Sequence, residues 1–311
     1  MVFLSILGPM FIMAVISVIG YIIAKTNEIT EESKQLLISI MLNVAIPCII
    51  LDGAFKTKVG KELISQLLII FIFSIIISLL GLLLGWIFAR IFNHSPSNAK
   101  KMALIAGLGN TGFIGIPLCA AIFGPKGALL AAAFDTGVGI ILFTVAIALL
   151  QENYQFSLAS LKQLMNPPVI SIVLALFVII ADIQPPEIIK QLNGMLASLA
   201  TPLAMIYIGI LIRMMLKQKG AMSISRLTVP IVLKLLILPI LTIMLVAFIN
   251  FSLLMKQVII IQVAMPTMTL APVLLARYTQ DEEIGAKAAV YSTICAILTV
   301  PFIVFLGSKL F

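Results

Sequence analysis

Two polar interruptions of apolar segments are the places in this chain where chemistry is most expected. The first is GNTGFIGIP at residues 109–117, which brings Asn110 and Thr111 into a glycine-rich run. The second is AMPTMTLAP at residues 264–272, which contains Thr267 between two prolines. Such breaks expose unpaired backbone N–H and C=O groups, which a bilayer tolerates only where they are buried in protein or line a wet cavity. Paired breaks in the two halves of a chain therefore point to a binding site.

The candidate substrate-binding residues are the polar and hinge positions of these breaks, with one asparagine from an earlier segment: Asn110, Thr111, Gly112, Pro117, Gln262, Pro266, Thr267, Pro272 and Asn43. A half-helix that starts at a break aims its N-terminal N–H groups inward and favours an anion. A carboxylate fits such a site without any arginine. The alternative interpretation is that glycine and proline only kink packed helices, and for Asn43, which lies near Pro47, that is the preferred one.

Three ionisable residues fall inside apolar segments, where charged side chains are costly and are functional candidates by default. Asp135 is a candidate for carrying a coupling proton, although a structural role is an equally good interpretation. Lys234 is either a partner of Asp135 or a side chain that reaches the membrane interface. For Lys234 and Lys287 we expect the interface, because long basic side chains extend to it readily.

The composition predicts an all-α polytopic membrane protein. The 311 residues are 62% hydrophobic and only 10% charged, with a mean hydropathy of +1.22, whereas about a quarter of the residues of a soluble domain are charged. Apolar runs fill the chain and leave no room for a soluble catalytic domain, so we do not expect an enzyme. The net charge of +8 fits basic cytoplasmic loops better than a nucleic-acid partner.

No metal site or cofactor is expected from the sequence. The three cysteines, Cys48, Cys119 and Cys295, lie in apolar segments without CxxC spacing. His94 is the only histidine and lies in a polar loop, which argues against zinc chemistry and against a Ser-His-Asp triad. There is also no GxxxxGK[ST] motif for ATP.

Ten runs are long enough and apolar enough to be read as membrane spans. They cover residues 3–24, 33–54, 63–92, 99–123, 127–150, 167–183, 187–214, 227–250, 256–277 and 284–308. Most of the lysines and arginines between spans fall in loops that are inside if the N-terminus is outside. We therefore expect a multi-pass protein of the cytoplasmic membrane with both termini extracellular.

The two halves of the chain resemble each other. Pro47 and Pro202 are 155 residues apart, and so are Pro117 and Pro272. Five spans per half give the halves opposite topology, which predicts two inverted five-helix repeats with broken, crossing helices 4 and 9. The expected division is residues 1–150 for the first repeat, 151–165 for a linker and 166–311 for the second repeat.

At these residues the sequence resembles the auxin efflux carrier family, which includes bacterial malate and malonate permeases and, more distantly, the PIN-formed auxin exporters. Three stretches carry the resemblance: LGNTGFIGIPL at 108–118, the segment from Ile261 to Pro272, and the tail from Tyr291 to Pro301. Three features depart from the family. The link between spans 5 and 6 is short, where the plant carriers have a long cytoplasmic loop. The second break has no asparagine, and span 3 has no acidic residue between Leu63 and Trp86.

The resemblance implies a scaffold domain of spans 1, 2, 6 and 7 and a transport domain of spans 3–5 and 8–10. It also implies that Asn110 helps to hold a substrate carboxylate. We therefore expect a secondary transporter that moves an organic anion, such as malate, malonate or an auxin-like acid, by an elevator mechanism. A homodimer would suit this mechanism, because an elevator needs a fixed frame.

Two rival hypotheses stay open at the level of the sequence. One is a membrane sensor that binds a ligand at the same site without transporting it. The other is a sodium-coupled symporter of the same fold, for which Thr111, Thr267, Thr269 and Gln262 could supply some of the oxygens.

Overall fold

The computed structural model describes residues 2–57, 61–151, 165–217 and 225–310. All regular secondary structure in these residues is helical. The helices are α1 Val2–Thr26, α2 Glu31–Ile40, α3 Ile46–Lys56, α4 Lys61–Ile91, α5 Pro96–Gly107, α6 Ile116–Ile141, α7 Ile147–Leu150, α8 Pro167–Ile180, α9 Glu187–Ala197, α10 Ala200–Lys217, α11 Ser225–Val232, α12 Leu238–Ala247, α13 Leu253–Val263, α14 Ala271–Thr279 and α15 Glu282–Leu310.

Four short π-helical turns are present in the described residues: three join consecutive helices end to end, and one leads into α6. They cover Met41–Ala45, Thr111–Gly115, Leu142–Ala146 and Leu233–Ile237. A π turn inserts an extra residue per turn and redirects the side chains that follow it, and such turns are frequent at functional sites. Asn43, Thr111 and Lys234 each lie in one of them.

The apolar helices make this a multi-pass membrane protein. By length and composition, six described stretches can cross a membrane: Glu31–Lys56, Glu62–Ile91, Thr111–Leu150, Glu187–Met214, Leu227–Ala247 and Glu282–Leu310. Three shorter apolar helices accompany them. Large apolar side chains are widely exposed, for example Phe11 at 71% and Phe248 at 90%, as a lipid-facing surface requires. The arrangement of ten spans as an inverted repeat stays a prediction.

The stretch Thr111–Leu150 contains a sharp change of backbone direction at Gly124. The backbone of Gly124 has φ 69° and ψ −159°, a conformation outside the helical range that residues other than glycine rarely adopt. The next residue is Pro125. The sequence places the boundary between its predicted fourth and fifth spans at this point. The forty residues therefore form two helical segments rather than one continuous rod.

Local sequence signals explain where several helices begin. The hydroxyl or amide oxygen of Thr30, Ser95, Asn166 and Ser252 accepts a hydrogen bond from the backbone N–H three residues later. Each bond satisfies one donor that the first helical turn leaves unpaired. Pro96 and Pro167 follow their caps at the first helical position, where proline is favoured because no N–H is needed.

The chain folds into two compact units, each built from separate segments. Unit 1 consists of Met1–Ile70, Gly112–Asp135 and Met165–Lys219, and unit 2 consists of Phe71–Thr111, Thr136–Leu164 and Gly220–Phe311. The predicted division into two repeats, and into a scaffold and a transport domain, stays a prediction. Of the predicted linker 151–165, residues 152–164 lie outside the described residues.

Helices α1 and α10 of unit 1 approach each other closely, because a glycine of each helix faces the backbone of the other. A methyl group on Gly20 would overlap the carbonyl of Ile206, and one on Gly209 would overlap the carbonyl of Ser17. Small residues at such contacts let membrane helices pack at short distance, where van der Waals attraction is largest. This reciprocal contact fixes the packing of the first helix against the rest of unit 1.

We expect the Gly20→Ala variant to be less stable than the wild type, with a lower thermal midpoint in detergent. The added methyl group meets backbone atoms that cannot rotate away, and overpacking of this kind costs about 1–3 kcal/mol. Gly8→Ala in the same helix is the matched control, since a methyl group on Gly8 would have no atom within 4 Å. Equal midpoints for the two variants would contradict the close contact.

Candidate functional site

Both predicted breaks interrupt their helices in the structure. Helix α5 ends at Gly107, and regular helix resumes only with the π turn that starts at Thr111. Helix α13 ends at Val263, and α14 starts at Ala271. The interruptions cover residues 108–110 and 264–270, so each predicted segment is non-helical only in part: residues 111–115 are π-helical, and α6 and α14 begin at Ile116 and Ala271.

The two breaks pair with each other in unit 2. Gly109 and Thr267 form an isolated antiparallel bridge. The backbone N–H of Asn110 donates to the carbonyl of Pro266 at 2.7 Å, and the N–H of Met268 donates to the carbonyl of Leu108 at 3.4 Å. Each break therefore satisfies backbone groups that the other leaves open, as burial away from water requires. We call this pairing of Leu108–Asn110 with Pro266–Met268 the crossing.

Thr267 anchors the crossing to two helices. Its side chain is fully buried, and its hydroxyl donates to the carbonyl of Ile105 in α5 at 3.0 Å. Its backbone N–H donates to the hydroxyl of Ser292 in α15, also at 3.0 Å. The hydroxyl proton of Thr267 is thus committed to the protein, and its predicted contact with substrate stays a prediction.

Asn110 places an unused hydrogen-bond donor at the crossing. The residue is 4% exposed, and its amide nitrogen Nδ2 has no acceptor among the described residues. An amide donor that stays buried without an acceptor costs about 1–3 kcal/mol. The side chain of Gln262, in the last turn of α13, is also fully buried beneath the second break. The crossing therefore holds polar side chains at a depth where an apolar core would normally lie.

Lys234 lies at the crossing and not at a membrane interface, so the expectation that it reaches the interface is wrong. The residue is 2% exposed. Its ammonium nitrogen Nζ lies 2.9 Å from the position that a Cβ of Gly109 would occupy, and the carbonyl oxygen of Met265 lies 3.3 Å from the same position. The absent side chain of Gly109 leaves the space that the lysine fills. Lys287 behaves differently, since it pairs with Glu283 one turn earlier in α15.

The remaining predicted residues of unit 2 lie beside the crossing. Thr111 is buried and opens the π turn after the first break. Pro272 occupies the first turn of α14, where Gly285 of α15 approaches so closely that a Cβ would lie 2.7 Å from it. The structure thus brings together six predicted binding residues within unit 2: Asn110, Thr111, Gln262, Pro266, Thr267 and Pro272.

The other predicted residues lie in unit 1. A Cβ on Gly112 would lie 3.0 Å from a carboxylate oxygen of Asp135, so the candidate coupling acid lies directly against the glycine of the first break. The carbonyl of Pro117 accepts a hydrogen bond from the hydroxyl of Thr201 at 3.1 Å. Asn43 is exposed, and its amide donates to Ser39 at 2.9 Å, one turn earlier.

The sequence did not identify Ser292 as part of the site, and it did not place Lys234 there. Ser292 lies in the tail stretch that carries the family resemblance, but nothing local indicates that it binds Thr267. Lys234 is visible as a charge inside a span, yet its place beside Gly109 depends on tertiary packing. Among the residues that the structure describes, no group of three or more His, Cys, Asp or Glu could hold a metal ion.

Comparison with known proteins identifies relatives of the whole chain. A family model described as "Membrane transport protein" matches residues 5–304. The chain is 24% identical over 302 residues to an uncharacterized transporter of Methanothermobacter thermautotrophicus, a match that covers 97% of this chain and 98% of that protein. It is 26% identical over 306 residues to an uncharacterized transporter of Methanocaldococcus jannaschii, with 93% and 94% covered.

We expect Thr267→Val to lower the thermal midpoint in detergent, whereas Thr267→Ser stays closer to the wild type. Valine keeps the volume but removes the hydroxyl that bonds Ile105, which costs about 1–3 kcal/mol for a buried group left unpaired. Serine keeps the hydroxyl and serves as the control. If valine is tolerated as well as serine, the side-chain bond does not stabilise the crossing.

Proposed function

The chain belongs to the membrane transport protein family, the auxin efflux carrier family that its motifs resemble, and from this premise we propose that it is a secondary carrier of an organic anion. The anion is a carboxylate such as malate, malonate or an auxin-like acid. It binds at the crossing, with Asn110 as its principal hydrogen-bonding side chain.

The observation that carries this proposal is the chemistry of the buried side chains at the crossing. Asn110 Nδ2 is a donor without an acceptor among the described residues, and the ammonium of Lys234 lies beside the preceding residue, Gly109. Donors and a cation attract an anion, and hydrogen bonds to a charged group are stronger than those between neutral groups. A carboxylate supplies the acceptor that Asn110 lacks.

An elevator mechanism suits the way the crossing is built. The bridge between the breaks, the anchors Ile105 and Ser292, and Lys234 all belong to unit 2. A binding site whose parts are tied together by hydrogen bonds within one compact unit can move as one body without losing its geometry. In this proposal the cargo stays bound at the crossing while access alternates, as in carriers with broken helices near the bilayer midplane.

We further propose the location, orientation, energy source and oligomeric state of the carrier. The distribution of lysine and arginine along the sequence favours the cytoplasmic membrane with both termini outside. The energy comes from an ion gradient, the membrane potential or exchange. A homodimer would supply the fixed frame that an elevator needs.

We expect counterflow of a carboxylate in proteoliposomes, weakened in Asn110→Ala. The vesicles are preloaded with malate, malonate or an aromatic acid, and uptake of the same labelled acid is followed. Loss of one hydrogen bond to a charged group costs about 1.5–3 kcal/mol, so the affinity should fall roughly ten- to a hundredfold. Asn250→Ala is the control, since Asn250 is an exposed asparagine outside the crossing.

Two results would count against this proposal. Unchanged affinity in Asn110→Ala removes Asn110 from the site. Binding of an acid by folded wild type without any counterflow supports the rival hypothesis of a sensor.

We expect Asp135→Asn to flatten the pH dependence of counterflow. Its carboxylate lies against Gly112 of the first break, so gain or loss of a proton there changes the charge next to a hinge of the site. Asparagine keeps the shape of the side chain and cannot change charge. Asp182→Asn, at an exposed position, is the control. An identical pH profile in Asp135→Asn would assign Asp135 a structural role.

A further inference from the structure

We propose that Lys234 supplies the single fixed positive charge of the anion site, so that the carrier is matched to a substrate with one negative charge. This inference rests on the proposed function, because it concerns the ligand of the same crossing. Lys234 is then a residue that determines specificity. The substrate is a monocarboxylate or the singly charged form of a dicarboxylic acid.

Lys234 has no counterion among the described residues of unit 2, because none of the ion pairs found there includes it. Lys101 pairs with Asp281, and Lys287 pairs with Glu283. A charged side chain that is 98% buried normally has a partner, because the cost of removing it from water is several kcal/mol. A lysine in this position is expected to have an anion that arrives from outside.

The charge of Lys234 lies close to Asn110. Lys234 Nζ lies 2.9 Å from the Cβ position of Gly109, and Asn110 is the next residue. One residue of extended chain spans about 3.4 Å. An anion bound to Asn110 Nδ2 therefore lies within about 10 Å of the ammonium, and a buried pair at that distance is poorly screened by salt. The electrostatic field of the ammonium group attracts the anion at this distance even without direct contact.

Within the described residues of unit 2, Lys234 is the buried lysine at the crossing. The other polar side chains that unit 2 places there are neutral: Asn110, Thr111, Gln262, Thr267 and Ser292. One carboxylate balances one ammonium. A dianion would leave one negative charge without a fixed partner in a site sheltered from water, which is costly.

A structural explanation competes with this one. Helices α5 and α13 both end at the crossing, and a cation near helix C-termini is favourable in itself. On that explanation Lys234 stabilises the fold but does not distinguish ligands by charge. The two explanations differ in how a neutral ligand behaves when the lysine is replaced.

The experiment measures binding of three ligands that differ in charge and hardly in shape, namely malonate, its monoamide malonamate and its diamide malonamide. Indole-3-acetate and indole-3-acetamide form a second pair for an aromatic ligand. Dissociation constants are taken from ligand-dependent thermal shifts of the purified protein at pH 7. The proteins are the wild type, Lys234→Met, which keeps the length without the charge, and Lys234→Arg, which keeps the charge.

We expect the wild type to bind the singly charged member of a series most tightly. In Lys234→Met the preference for the monoanion over the neutral amide should fall about tenfold or more, as expected for the loss of a unit charge at this distance. Lys234→Arg should retain the preference. Weak binding of the neutral amide should be the same in all three proteins.

The possible failures are distinguishable. Lys234→Met could bind the acid and the amide more weakly by the same factor, or it could keep the full preference for the acid. Either result overturns the role assigned to Lys234 and leaves the carrier proposal intact. Tighter binding of malonate than of malonamate by the wild type overturns the proposed preference for a ligand with one negative charge. If the folded wild type binds no acid in either series, the proposed function itself fails.

Discussion

The architecture of unit 2 depends on one constraint, which is that backbone polar groups buried away from water must find partners. Both helices that enter the crossing stop there, and the exposed N–H and C=O groups of one break bond to those of the other. Thr267 ties this pairing to α5 and to α15 through its hydroxyl and its N–H. The breaks are therefore not weak points of the helices. The hydrogen bonds of the crossing replace those that the helices lose.

The polar side chains around the crossing differ in where their hydrogen-bonding groups are directed. Thr267 and Ser292 direct their hydrogen bonds into the protein, so they hold the geometry. Asn110 keeps a donor that has no acceptor among the described residues, and Lys234 brings its ammonium group against Gly109. In unit 1 Asp135 lies against Gly112, the next glycine of the same break.

The sequence predicts those features of the fold that depend on local chemistry. The positions of both breaks and of the turn at Gly124 follow from glycine and proline, whose backbone preferences act within a few residues. Membrane insertion follows from composition. The roles of Thr267, Ser292 and Lys234 could not be predicted in the same way, because each depends on a residue far away in the chain. Lys234 in particular has the pattern of an interfacial lysine, and only the space left by Gly109 makes its burial possible. The inverted repeat and the scaffold and transport domains remain predictions.

The crossing is held largely by main-chain hydrogen bonds, and this has a consequence for how such a protein can diversify. A bond from the N–H of residue 110 to the carbonyl of residue 266 does not depend on which side chain residue 110 carries, provided that it is not proline. Mutations can thus exchange the side chain of residue 110 without breaking this main-chain bond of the crossing. A main-chain pairing of this kind permits selection to change the side chains around it in single steps while the two breaks stay paired.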